Sequence, residues 1–149
     1  MKKLIPILLA IFMLLSTQVA LGATVVEGAT STKFSSTGVV SPNTYQTISG
    51  GQCSIVNNGN GTLNISGSTS TYNSVDQVGL QLNLQYLSDG QWKTLNSYNY
   101  YKYNSNYVYG GQLLGVSHGY YYRVFAQHTS LKGEISESGQ SYSEAIYIQ

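Results

Sequence analysis

Few side chains in this sequence belong to the types that perform covalent or acid–base chemistry. Cys53 is the only cysteine, so no disulfide can form within the chain. A nucleophilic cysteine is activated by a helix N-terminus or a basic neighbour, and the sequence around Cys53 offers neither. We expect Cys53 to be buried as a small apolar residue. The alternatives are a link to a second chain and a nucleophile paired with a histidine.

The two histidines, His118 and His128, lie at opposite ends of one predicted strand. At about 3.4 Å per residue, a straight strand separates them by roughly 34 Å. They cannot share one ion, and we predict no metal site. For His128 we expect a salt bridge to Glu134 or Glu137 in the following loop.

No other pair of residues has the spacing of a catalytic site. Asp76 and Asp89 flank opposite ends of a predicted strand, too far apart for two carboxylates to act on one bond. The stretch 57–61 is predicted to be a hairpin turn, not a phosphate-binding loop between a strand and a helix. The sequence therefore predicts a protein with no catalytic residues and no cofactor, that is, one that is not an enzyme.

The first residues have the pattern of an export signal. Two lysines precede an apolar run from Leu4 to Leu15, and small residues up to Ala23 suit a signal peptidase. The run is shorter than the roughly 20 apolar residues that span a bilayer. We predict a signal peptide over residues 1–23 and a secreted, extracellular protein with no membrane partner after cleavage.

The charges that remain after cleavage are few and scattered. The chain has seven Lys and Arg and six Asp and Glu, and Lys2 and Lys3 belong to the signal peptide. The mature net charge is therefore about −1. Nucleic-acid binding requires a basic face that neutralises phosphates, so we predict no nucleic-acid partner.

Residues 24–47 are rich in Ser and Thr and show no sustained period, which predicts an extended arm. A short edge strand near Thr37–Val40 is compatible with this pattern. The arm is either a spacer or a strand that is donated to a neighbouring subunit, which would give self-association.

From residue 48 to residue 149 the pattern is that of short strands and turns. Residues 52–56 and 62–66 form a predicted hairpin, and 78–86, 91–98 and 119–128 alternate between apolar and polar positions. The polar stretches 67–74, 98–112 and 129–140 are expected to be mainly connections, with one weaker strand within 98–112. About seven short strands with this turn spacing predict an all-β domain, a single antiparallel β-sandwich.

The stretch from Leu114 to Ala126 resembles the fibronectin type III signature within the immunoglobulin-like sandwiches. A Leu lies six residues before Tyr120, and Arg123 begins an Arg-Val-x-Ala run. The resemblance implies a tyrosine corner, in which the Tyr120 hydroxyl binds upstream backbone and Leu114 packs beside it. The mature chain also resembles a group of small secreted proteins from Gram-positive bacteria, a likeness that implies no activity.

Tyrosine is concentrated in the second half of the chain, among Asn, Ser and Gly. Nine of the fourteen tyrosines lie between Tyr98 and Tyr122, and this composition is typical of binding loops. The predicted ligand-binding residues are Trp92, Tyr98, Tyr100, Tyr121, Arg123 and Phe125. The alternative is that the tyrosines fill the core in place of tryptophan.

These residues predict a secreted, non-enzymatic binding module. Its partner would be an extracellular or cell-surface glycan or protein, whose identity the sequence leaves open. One alternative is a structural matrix protein that self-assembles through residues 24–47. Another is a small exported toxin or inhibitor.

Overall fold

The computed structural model describes residues 45–149, which form six β-strands. The strands are β1 Ile48–Gly59, β2 Thr62–Ser88, β3 Gln91–Gly115, β4 Tyr120–Lys132, β5 Ile135–Tyr142 and β6 Ile146–Ile148. Every pairing is antiparallel. The predicted all-β class is confirmed. Within 45–149 there is no helix of the length and apolar character needed to cross a membrane.

All six strands belong to one hydrogen-bonded sheet in the order β1-β2-β4-β5, with β3 paired to β2 and β6 paired to β4. Strand β2 is 27 residues long and pairs with different strands along its first and second parts. Its first part pairs with β1, from Thr62 to Thr71, and its second part pairs with β4, from Gln77 to Tyr86. Strand β3 accompanies β2 along both parts.

The polar stretches 67–74 and 98–112 are strand, so the prediction that they are mainly connections was wrong. Each stretch lacks an apolar period, but each finds hydrogen-bonding partners along the β2–β3 pair. Serine, threonine and tyrosine are compatible with a pleated backbone once its amides are paired. The β2–β3 ladder shifts register between Ser70 and Val75, at the point where β2 passes from one half of the sheet to the other.

The sheet curls so that its two halves face each other, and β1 contacts β4 and β5 across the interior. Alternate residues of each strand point into this space, as the period of two predicts. The buried apolar residues are Cys53, Ile55, Leu63, Ile65, Val75, Val78, Leu80, Leu82, Leu84, Val108, Tyr122, Val124, Ala126 and Ile148. A single curled sheet of six strands thus takes the place of the seven short strands that the sequence predicted.

Strands β4 and β5 form a hairpin through a turn at Gly133, so the prediction of a polar loop over 129–140 was also wrong. Ser138 pairs with Thr129, and Gly139 pairs with His128. The predicted hairpin over 52–66 is present, and a turn at Asp89 joins β2 to β3. In β6, Ile148 is buried and Ile146 packs against the core.

The hydrogen bond to upstream backbone that the resemblance implies for Tyr120 is made by Tyr122 instead. The Tyr122 hydroxyl donates to the carbonyl oxygen of Ser117 at 2.9 Å, and its ring is buried. Tyr120 lies one full period earlier on the same strand face, at the start of β4, where 40% of it remains exposed. Leu114 packs against the core.

The predicted signal peptide, the possible strand near Thr37–Val40 and most of the predicted arm lie outside residues 45–149. The last residues of the arm are described. Thr47 is buried, and its backbone N–H donates to the Glu137 carboxylate of β5 at 2.9 Å. The chain is therefore fixed to the sheet immediately before β1 begins.

Candidate functional site

The outer face of the sheet half built from β3, β2, β4 and β5 carries a row of amide side chains. The pairing register places Asn99 beside Gln81, Gln81 beside Gln127, and Gln127 beside Gln140. Their chain neighbours on β2 and β4 are buried, so these amides point away from the core. We call this surface the amide face; the row crosses four strands, each about 4.8 Å from the next.

Hydrogen bonds hold the amide face in a fixed arrangement. Gln81 Nε2 donates to Asn99 Oδ1 at 2.9 Å, and Gln127 Nε2 donates to Ser138 Oγ at 3.2 Å. An amide group has two donor hydrogens and an oxygen with two acceptor positions. These contacts use only part of that capacity, so the row can both donate to and accept from a bound molecule.

A cluster of rings around a guanidinium borders one side of the amide face. The carbon Cζ of Arg123 lies 4.2 Å from the centre of the Trp92 ring and 4.9 Å from that of Tyr142. Phe125 stacks on Tyr142 with ring centres 4.9 Å apart. Arg123 also donates from Nε to Gln85 Oε1 at 2.9 Å. We call Trp92, Arg123, Phe125 and Tyr142 the arginine cluster.

Two exposed tyrosines border the other side of the amide face. Tyr101 lies beside Gly79, and Tyr103 lies beside Gln77; their exposed fractions are 52% and 70%. A shallow depression of about 220 Å³ lies between Tyr101 and the amide row. It is lined by Leu80, Gln81, Asn99, Tyr101, Gln127 and Thr129. Aromatic surface therefore flanks the amides on both sides.

The structure brings three of the predicted ligand-binding residues together: Trp92, Arg123 and Phe125. Tyr121 lies on the same face of β4 and packs on Tyr147, with ring centres 5.0 Å apart. All four are partly exposed. These four side chains thus contribute to the outer surface, and the Arg123 guanidinium contacts the Trp92 ring.

Tyr98 and Tyr100, which were also predicted to bind a ligand, do not lie on this surface. They lie opposite Leu82 and Leu80 and pack against the core. The Tyr100 hydroxyl donates to the Gly111 carbonyl oxygen at 3.1 Å. A Cβ atom on Gly110 would lie 2.2 Å from the Tyr100 ring, so the ring occupies the space that a side chain there would need.

A β-bulge explains why Tyr98 and Tyr100 point towards the core. The register shifts between Leu84, which pairs with Asn96, and Gln85, which pairs with Thr94, so Leu95 is an extra residue in β3. One extra residue exchanges the two faces of a strand beyond that point. Trp92 therefore faces outward with Thr94, whereas beyond Leu95 the odd-numbered residues do so, including Asn99, Tyr101 and Tyr103.

Sequence reasoning missed the amide row, together with Tyr101 and Tyr142. A signal for part of the row was available, because the polar positions that alternate with the apolar ones in β2 include Gln77, Gln81, Asn83 and Gln85. Four amides on one face of a single strand indicate a polar surface of one chemical kind. The contributions of the other strands required the register.

The buried side chains of types that can perform chemistry are joined by a chain of hydrogen bonds. His128 is buried; its Nδ1 contacts Thr69 Oγ1 and its Nε2 contacts Ser141 Oγ, each at 2.8 Å. The predicted salt bridge to Glu134 or Glu137 was wrong. Burial lowers the pKa of His128 to about 4, which keeps the ring neutral at physiological pH.

Cys53 is buried, as predicted, and it continues the same chain. The Ser141 hydroxyl lies 3.4 Å from the Cys53 sulfur. Burial raises the pKa of the Cys53 thiol, which disfavours the reactive thiolate. Within 45–149, no three His, Cys, Asp or Glu side chains group together as metal ligands. The interior residues therefore contribute to packing and polarity inside the fold.

Comparisons with known proteins found no matching family model, curated protein or solved structure.

Proposed function

We propose that this protein is a secreted binding module, without enzymatic activity, that recognises an extracellular glycan through the amide face. The observation that supports the proposal most directly is the alignment of Asn99, Gln81, Gln127 and Gln140 across four strands. Sugar hydroxyls each donate and accept hydrogen bonds, and amide side chains match both roles. Two of these amides are held by neighbouring side chains, which lowers the entropy lost on binding.

The flanking rings supply the second requirement for a glycan. Trp92 in the arginine cluster and Tyr101 beyond the row both present partly exposed ring surface. Aromatic rings offer a large rigid apolar area on which the C–H faces of a sugar ring can pack. The combination of central amides and flanking rings favours a glycan over a protein, because protein-binding patches have an apolar centre and a polar rim.

The export prediction and the sandwich prediction are part of the same proposal. The signal-peptide pattern of residues 1–23 would deliver the chain to glycans outside the cell. The facing halves of the curled sheet and the Tyr122 hydrogen bond to Ser117 support a relation to the fibronectin type III sandwich. In such a sandwich, the amide face would be the outer surface of one layer.

Binding can be measured with a glycan array, followed by titration of the intrinsic fluorescence of Trp92, the single tryptophan of the chain. Gln81→Ala and Gln127→Ala should each weaken binding by about tenfold, because each removes hydrogen bonds to the ligand. The matched control is Gln52→Ala, which removes an exposed amide from β1.

A second pair of variants tests the flanking rings. Tyr101→Ala should weaken binding, whereas Tyr109→Ala should not, although 59% of Tyr109 is exposed and it lies in the part of β3 that pairs with the first half of β2. The proposal fails if no glycan is retained, or if variants on the amide face bind as well as the native protein.

A further inference from the structure

We propose that the glycan is acidic and that Arg123 binds a carboxylate of its sugar units. This inference rests on the proposed glycan-binding function and specifies the class of ligand. Arg123 is the single arginine of the chain and lies on the same outer face of β4 as Gln127, four residues away. A ligand bound at the amide face can therefore extend along β4 to Arg123.

Arg123 forms no ion pair with the residues that the structure describes. Between side chains of residues 45–149, the one ion pair joins Lys93 to Asp89 at 3.0 Å, and it excludes Arg123. Arg123 is partly buried between rings from β3 and β5. A desolvated charge is costly unless an opposite charge or strong hydrogen bonds compensate it, and a ligand carboxylate would supply both.

The hydrogen bonds of the guanidinium leave donors for a ligand. A guanidinium has five N–H donors, and the contact with Gln85 uses the one on Nε. The donors on the two Nη atoms have no partner among the described side chains. Because guanidinium and carboxylate are both planar, two parallel hydrogen bonds can form. The rings of Trp92 and Tyr142 hold the group in place.

The surroundings of Arg123 favour a carboxylate over a phosphate polymer. The other outer positions of β2 and β4 nearby carry no further cation; they hold the amides of Gln81, Asn83, Gln85 and Gln127 and the rings of Tyr121 and Phe125. A chain of phosphates would be matched by several Lys or Arg residues, since its affinity depends on neutralising many charges. One cation amid amides matches a sugar unit that carries one carboxylate and several hydroxyls.

The test uses three acidic polysaccharides, polygalacturonate, alginate and hyaluronan, each with a counterpart whose carboxylates have been reduced to alcohols. Affinity is measured by Trp92 fluorescence. We expect at least one acidic form to bind about tenfold more tightly than its reduced counterpart. Arg123→Gln should abolish this difference in affinity between acidic and reduced forms. Arg123→Lys should retain only part of it, because lysine lacks the planar fork of donors. The matched control is Lys132→Gln, which removes an equal charge at the exposed β4–β5 turn.

A second measurement does not depend on the variants folding. The Nε–H resonance of Arg123 in the native protein can be assigned at once because no other arginine is present. Sodium galacturonate should shift this resonance, whereas methyl galactoside at the same concentration should not. The absence of a shift with galacturonate would contradict carboxylate binding at Arg123.

The outcomes separate this inference from the proposed function. Equal binding of acidic and reduced forms, or binding to neutral glycans alone, would overturn the carboxylate inference and leave glycan binding intact. Stronger binding to a glycerol phosphate polymer than to any of the three acidic polysaccharides would also overturn it. If neither acidic nor neutral glycans bind, both the inference and the proposed function are wrong.

Discussion

Nδ1 of the His128 imidazole lies 2.8 Å from the hydroxyl oxygen of Thr69, within hydrogen-bonding distance, between the two halves of the curled sheet. Thr69 Oγ1 donates its own proton to the carbonyl oxygen of Gly79 at 2.9 Å. On the other side of the ring, Nε2 lies 2.8 Å from Ser141 Oγ, so both ring nitrogens have a hydroxyl partner. The contact with Thr69 thus joins β2 to β4.

The buried neutral His128 predicts that the protein loses stability in mildly acidic solution. Its pKa is about 4 in the folded chain, against an ordinary value of 6.5. Between these values the unfolded chain binds a proton that the folded chain does not, so the free energy of unfolding decreases as pH falls from 6.5 towards 4. The expected loss is up to about 3 kcal/mol. Urea unfolding at pH 7.5, 6 and 5 measures it.

The control for this pH dependence is His118→Gln, which removes the exposed histidine near the start of β4 and should leave the dependence in place. His128→Gln should remove most of the dependence, although it lowers stability at every pH. A native protein equally stable at pH 7.5 and pH 5 would contradict the assignment.

Gly51 of β1 cannot carry a side chain without displacing His128. A Cβ atom there would lie 2.5 Å from the imidazole carbons Cγ and Cδ2. Gly51→Ala should therefore destabilise the fold by about 1–3 kcal/mol. In the control, Gly50→Ala, the added Cβ atom would contact only Ser70 Oγ, at 3.3 Å, and the loss of stability should be smaller. Thermal unfolding measures both, and equal losses would show that the contact with the ring is unimportant.

Glu137 fixes the chain at the start of β1. Its carboxylate accepts from the backbone N–H groups of Gln46, Thr47 and Ile48, at 2.6 to 3.0 Å. Desolvation alone would raise the pKa of Glu137, but the hydrogen bond from the Thr47 hydroxyl and these three backbone bonds favour the ionised form and lower the pKa from 4.5 to about 2. The stabilisation is complete above pH 4.5 and is lost as pH falls through 2.

Amide resonances of Gln46 to Ile48 should therefore shift with a midpoint near pH 2. Glu137→Gln should abolish that midpoint and speed hydrogen exchange at these amides, because a neutral amide is a weaker acceptor than a carboxylate. Glu134→Gln, at the exposed turn after β4, is the control and should leave both unchanged. A midpoint near 4.5 would show that the backbone bonds do not form in solution.

Two variants that each remove one hydroxyl group test whether Tyr122 or Tyr120 makes a stabilising hydrogen bond to upstream backbone. Tyr122→Phe removes the hydroxyl that donates to Ser117 at 2.9 Å and should cost about 1 kcal/mol. Tyr120→Phe removes a hydroxyl from the residue that the sequence resemblance had favoured, and should leave stability within about 0.5 kcal/mol. Chemical unfolding measures both changes. A larger loss of stability for Tyr120→Phe than for Tyr122→Phe would contradict the assignment of this hydrogen bond to Tyr122.

Sequence alternation predicted the two faces of a strand wherever apolar residues recurred at every second position. Leu80, Leu82 and Leu84 are buried as expected, as are Val124 and Ala126. The same rule gave no guidance in the polar stretches. Thr69 lies in a segment predicted to be a connection, yet it is fully buried and binds His128. Its burial depends on a partner 59 residues away, which no local pattern reveals.

Some features of the candidate site likewise follow from the sequence, and others follow only from the tertiary structure. The sequence by itself determined that Trp92, Arg123 and Phe125 are surface residues of strands, because local alternation fixes side-chain direction. The tertiary structure alone decided that Arg123 lies between Trp92 and Tyr142, and that Asn99, Gln81, Gln127 and Gln140 form one row. The physical reason is strand register: pairing across strands is set by turns and by the bulge at Leu95, which placed Tyr98 and Tyr100 inside and Tyr101 outside.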